Sequence, residues 1–140
     1  MNTLPSGLTI PANAEARLLK FAKAEFAYYD GIDDLSPNEI TPVDVLVTWS
    51  VNSNIRGAKL VRDIHRGMVE KCQAFLPSLP VNLNLTNEDW QPEVIEKLLE
   101  EACSIRGVLV AVATKVLHRK RRALIPMLDS VGYRALLGCS

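Results

Sequence analysis

Residues 105–134 read IRGVLVAVATKVLHRKRRALIPMLDSVGYR, and the reading of this stretch decides the fold. Just before it, Val94, Ile95, Leu98, Leu99, Ala102 and Cys103 recur at helical spacing. Within it, Val108 to about His118 is a second apolar helix. Only Ser104-Ile105-Arg106-Gly107 separates the two runs, and so short a break predicts a tight helical hairpin with Gly107 at its tip. The first amides of the second helix have no partner inside that helix. They carry the positive end of its dipole, which suits a phosphate.

The second helix ends in Lys115, His118, Arg119, Lys120, Arg121 and Arg122. Two readings stand side by side. One is a solvated basic helix end that complements the negative end of the dipole. The other is a strip that grips a polyanion backbone, adding salt-dependent affinity without reading sequence. Leu124-Ile125-Pro126-Met127-Leu128 is an apolar connection expected inside. Asp129 follows it and stands where a last helix should start. Its plain role is an N-cap, and its functional role would be a carboxylate held at the floor of a cleft by that cap.

Further upstream the same helical grammar repeats. Residues 1–10 contain Pro5 and Gly7 without a period and predict a flexible arm. Leu18, Phe21, Ala22, Phe26 and Tyr29 give a first helix that stops at Asp30-Gly31. Residues 32–40 form an acidic loop that lacks the ligand spacing of a calcium site. Thr41-Pro42-Val43-Asp44 reads as a helix start, with a capping hydroxyl, proline in the first turn and an acid behind it. Val43, Val45, Val47, Trp49 and Val51 alternate as a strand would, but Leu46 breaks the alternation, so a short buried helix is expected. Ile55 to Phe75 is a long helix with the stripe Val61, Ile64, Met68, Cys72 and Phe75, and His65 at its edge. Thr86-Asn87-Glu88-Asp89 offers the next helix start.

The 140 residues allow one ordinary domain with a real core, so a single helical domain over 1–140 is expected, with 105–134 as its motif region. Hydrophobic residues make up 48% and charged ones 23%, the balance of a globular chain. Sixteen basic residues match sixteen acidic ones, so any polyanion binding has to come from local clustering. The odd trio Cys72, Cys103 and Cys139 lacks CxxC spacing and reads as reduced thiols in the cytoplasm. Neither His65 nor His118 pairs with a cysteine at ligand spacing, so no metal and no cofactor is expected. No apolar run is long enough for a membrane span. The fold class is therefore all-α, a compact domain of five or six helices with a helix–hairpin–helix-like element near residues 92–118.

The motif region resembles the helix–hairpin–helix DNA glycosylase superfamily. Gly107-Val108 match the hairpin's Gly-Val, Ala113 the helix alanine, Asp129 the catalytic aspartate and Arg134 the arginine after it. It is more closely similar to an uncharacterised bacterial family with the signature Thr-Ala-Ser-Lys-Leu-Leu-x-Arg-Lys-Arg-Pro-x-Leu-Ile-Pro-x-x-Asp, here the residues from Val112 to Asp129. Thr41 to Leu60 is similar to that family's N-terminal helix pair. The departures limit what the resemblance implies. Leu109 replaces the second hairpin glycine, Ala111 stands where lyase-active members carry a lysine, and Arg122 replaces a proline. The chain also stops soon after Asp129, where glycosylases continue, which implies a half-domain, a shortened chain or one partner of a dimer.

The resemblance thus implies a nucleic-acid-binding or interaction module whose catalysis has degenerated. The phosphate contacts would come from Gly107, Lys115, His118, Arg119, Lys120, Arg121 and Arg122. DNA is the expected partner, with self-association left open. The alternative is a monofunctional glycosylase-like enzyme in which Asp129 stabilises positive charge developing on the sugar.

Overall fold

The computed structural model describes residues 3, 7, 9–21, 29, 31–32, 36–51, 53–87 and 89–129. The chain divides into two compact units, Asp34–Met127, and Met1–Asp33 together with Leu128–Ser140. Among the described residues the structure is helical, with one isolated bridge between Thr3 and Thr9 and no strand. Most of the arm expected over 1–10, the stretch 22–28, Asp30 and the helix expected after Asp129 lie outside the described residues. In the smaller unit, α1 (Ala14–Phe21) follows Pro11, whose carbonyl accepts the Ala14 amide at 2.9 Å.

The larger unit begins its regular structure at α2 (Pro42–Leu46), where the expected start signal operates. Pro42 occupies the first helical position, and the Thr41 amide and hydroxyl both donate to Asp44 Oδ2, at 2.7 and 2.9 Å. The alternating valines do not form a strand. After one turn the chain tightens into a 3-10 helix, Val47–Val51. Thr48 holds that turn by donating to the Val45 carbonyl at 2.7 Å and to Ser53 Oγ at 2.9 Å.

The long helix starts later than its apolar stripe suggests. α3 (Ala58–Cys72) is preceded by Gly57 at φ +85°, a left-handed conformation that keeps Ile55 and Arg56 out of the helix. Ile64, Met68 and Cys72 are fully buried, with Val61 and Phe75 half-buried beside them. A second 3-10 segment, Gln73–Ser78, carries Pro77 and closes the helix. His65 sits at the core edge, with Nε2 3.0 Å from the Ile40 carbonyl.

The helix start expected at Thr86–Asp89 is corrected. Asn84 and Asn87 turn that segment locally: the Asn84 amide donates to Asn87 Oδ1 at 2.9 Å and the Thr86 amide to Asn84 Oδ1 at 2.8 Å. Side-chain amides that satisfy the backbone in this way compete with helix initiation. α4 (Pro92–Cys103) instead begins at Pro92 with Gln91 as N-cap. It buries Ile95, Leu98 and Ala102. A tight turn follows and leads into α5 (Val110–Lys120). α3, α4 and α5 pack around one core, joined by Ile40, Val45, Ile55, Leu76, Leu79, Leu124 and Ile125. Gly67 on α3 permits the closest approach: a Cβ there would lie 2.8 Å from Ile105 Cγ2.

Candidate functional site

Two places on the larger unit carry the residues singled out by the sequence: the turn between α4 and α5, and the C-terminal end of α5. At the turn, the Val108 amide donates to the Ile105 carbonyl at 3.0 Å. Gly107 then adopts φ +86°, which a side chain at this position would strain. Ile105 and Val108 point into the core, while Arg106 and Leu109 are exposed, Leu109 at 75%. Leu109 is the N-cap of α5 and supplies no side-chain cap. Lys71 reaches across from α3 and donates to Ser104 Oγ at 2.7 Å, fastening the turn to the long helix.

The other end of α5 is built differently from either sequence reading. Lys115, Arg119, Lys120 and Arg121 are buried, not laid out as a strip on the surface. Asp44, itself buried, is the carboxylate on which Arg119 and Lys120 converge. Arg119 Nε donates to Asp44 Oδ1 at 2.9 Å, and Lys120 Nζ lies 2.7 Å from Asp44 Oδ2 and 3.2 Å from the Ser36 carbonyl. Burial pushes the Asp44 carboxyl up. The hydrogen bonds from Lys120, the Thr41 amide and Arg119, with the Lys120 charge, outweigh that and hold it below its ordinary value.

Arg121, 1% exposed, bonds to carbonyl and amide oxygens. Its guanidinium donates to the carbonyls of Leu76 and Leu79, to Pro37 and Lys120 carbonyls at 2.7 Å each, and to Asn38 Oδ1 at 2.6 Å. A planar five-donor fork suits this task, which an ammonium could not repeat. The cation therefore gathers the ends of the 3-10 segment Gln73–Ser78 and of the loop before Thr41 onto the end of α5. His118 is half-buried, with Nδ1 2.7 Å from the Ile125 carbonyl. Of the six basic residues closing the helix, Arg122 alone is exposed. Asp129 is exposed too, and the helix it was expected to cap lies outside the described residues.

Chemically, this cluster works as an internal clasp. It fixes α2 against α5 across 75 residues of sequence through the Arg119–Asp44 pair. Breaking such a buried pair from one side leaves a charge without its counter-ion and costs about 3–5 kcal/mol. One signal in the sequence does point inward. From Val110 to Leu117 the helix carries only Thr114 and Lys115 as polar residues, so it has no solvated face. A helix surrounded on all sides takes its basic residues inside with it. Asp44, legible as a capping acid, carries no local mark of its second role.

Among the described residues no group of three His, Cys, Asp or Glu side chains could hold a metal ion, and no helix is long and apolar enough to cross a membrane. Cys72 and Cys103 are free thiols, and burial, followed by the charge of Glu101, pushes Cys72 up to about 12.

A family profile matches residues 13–138. The chain belongs to this family of unknown function, DUF6308. The DUF6308 match takes in the α4–α5 turn and the Asp44 clasp alike, and it brings no activity with it. No curated protein and no solved structure matches the chain.

Proposed function

We propose that this DUF6308 chain is a helix–hairpin–helix-like binding module without catalysis of its own, and that it meets the nucleic-acid backbone at the α4–α5 turn. The observation that carries the reading is the turn itself. Gly107 at φ +86° brings the chain sharply round into the first turn of α5, with Arg106 exposed beside it and no acidic side chain between Ser104 and Leu109. Backbone amides at a helix start together with one arginine suit a phosphate oxygen.

This moves the contact away from the positions expected first. Lys115, Arg119, Lys120 and Arg121 are committed to the interior, and a phosphate could reach them only by opening the core. Gly107 and Arg122 remain as surface positions of the original set, and Arg106 joins them. Ala111 offers no amine for a Schiff base, and no catalytic role is assigned to Asp129.

The test is a titration of short DNA duplexes against the full chain over a range of salt concentrations. Wild type is expected to bind weakly, with an affinity that falls steeply with salt. Arg106→Ala should lower the slope of log K against log salt by roughly 1, the share of a single phosphate contact. No binding at low salt refutes the reading. A slope changed by Arg122→Ala but untouched by Arg106→Ala would place the contact at the other end of α5 and refute it as well.

A further inference from the structure

The surface formed by α2, the 3-10 helix Val47–Val51 and the start of α3 gathers several exposed apolar side chains. Val43, Leu46 and Trp49 are exposed at 48%, 49% and 60% within seven residues of sequence. Beside them lies a groove of about 260 Å³ lined by Val45, Leu46, Trp49, Ile55 and Val61. We propose that this groove docks an acidic, amphipathic protein segment, which inserts apolar side chains beside Trp49. The inference stands independently of the hairpin reading, since it uses none of the same residues.

Size and lining select the occupant. Small-molecule sites run to about 300–1,000 Å³ and place a few polar groups for orientation. This groove is smaller, and its named side chains are aliphatic or aromatic. A nucleobase would stack on Trp49 but leave its polar edge facing valine, leucine and isoleucine without hydrogen bonds, which is costly. Aliphatic side chains of a peptide carry no such penalty. A partly exposed tryptophan next to an apolar groove is the arrangement from which interface hot spots are built.

The rim sets the charge of the partner. Arg56 and Lys59, next in sequence to the lining residues Gly57 and Ala58, are exposed. The nearby acid, Asp63, is already taken up by Lys59 at 2.6 Å and Arg62 at 3.4 Å, and the Lys59 hydrogen bond in particular holds its carboxyl below the ordinary value. With Asp63 set against Lys59, Arg56 leaves the rim positive, so an acidic segment is complementary.

The platform is also preformed. Val45 is fully buried behind the groove, and Thr48 ties the 3-10 turn to Val45 and Ser53. The Ile40 amide donates to Gln73 Oε1 at 2.9 Å and anchors the lead-in to α2. Little ordering is then left to be done on binding, which favours affinity from a small surface.

Tryptophan occurs only at positions 49 and 90, so Trp90→Phe leaves Trp49 as the sole reporter. The probe is a synthetic helical peptide with leucines at i, i+3, i+4 and i+7 and glutamates elsewhere, added to the full chain. Its lysine counterpart and an oligothymidylate are run in parallel. The acidic peptide is expected to shift Trp49 emission to the blue and saturate. Leu46→Glu, at an exposed position and checked for retained helicity, should weaken it about tenfold or more. The proposal is overturned by equal binding of the lysine peptide, by saturation with the oligothymidylate, by no shift up to about 1 mM acidic peptide, or by an undiminished response of Leu46→Glu. A blue shift that grows with protein concentration alone would overturn it in favour of a second copy of the chain.

Discussion

Replacing Asp44 by Asn tests the internal clasp most directly. The substitution keeps the size and one acceptor oxygen, so the Thr41 cap can re-form in part. It removes the charge that Arg119 and Lys120 face at 2.9 and 2.7 Å, inside a site where the Asp44 and Arg119 side chains are each 1% exposed. Loss of one partner from a buried pair costs about 3–5 kcal/mol, because the cations left behind cannot recover their hydration. Against a typical stability of about 5–15 kcal/mol, that is a large fraction of the whole. For a unit of about 100 residues, 1 kcal/mol moves Tm by about 4–8 °C, so a fall of at least ~12 °C is expected.

The acid side gives an independent signature. The folded state holds the Asp44 carboxyl below its ordinary value, so over that interval the unfolded chain binds more protons and stability rises with pH. The contribution is complete above the unfolded carboxylate value of 3.8 and is lost as pH falls through the lower folded one. The Tm gap between wild type and Asp44→Asn should therefore be constant from neutral pH down to about 5 and narrow below about 4. Thermal melts followed by circular dichroism measure both effects. Asp63→Asn, which breaks only an exposed contact, should leave Tm unmoved. A loss for Asp44→Asn no larger than that of Asp63→Asn, or a gap that does not narrow in acid, would refute the clasp.

Three further outcomes follow from the same packing. Arg121→Lys should destabilise by at least about 2 kcal/mol, since an ammonium cannot reach all of the buried oxygens that the guanidinium satisfies; Arg122→Ala, exposed, should not, and urea melts compare the two. Gly67→Ala should cost about 1–3 kcal/mol in the same melts, because the new Cβ would meet Ile105 Cγ2 at 2.8 Å. Cys72, pushed up to about 12, should resist alkylation by iodoacetamide at pH 8 in the folded chain and react once urea unfolds it, read by peptide mass mapping.

What the residues determined alone is local. Thr41, Pro42 and Asp44 mark the start of α2 because capping involves groups within four positions of one another, and the structure uses them as expected. The apolar spacing of α3 and α4, and the break at Ser104–Gly107, belong to the same class of signal, since periodicity and a glycine at positive φ need no distant partner. The start of α4 was misplaced for a local reason too: Asn84 and Asn87 bond within their own turn, and Pro92 supplies the better first position.

Only the tertiary structure decided the fate of the charges. A run of Lys and Arg at a helix end has the same spacing whether it faces water or the core. The difference lies in Asp44, which is 75 residues from Arg119, and in carbonyls near residues 37 and 76–79 that come together only when the chain has packed. The exposure of Leu46 and Trp49 was likewise set from afar, by Val45 and Ile55 settling into the core and leaving their neighbours on the rim of a groove. Burial depends on what every other element covers, and no window of sequence contains that information.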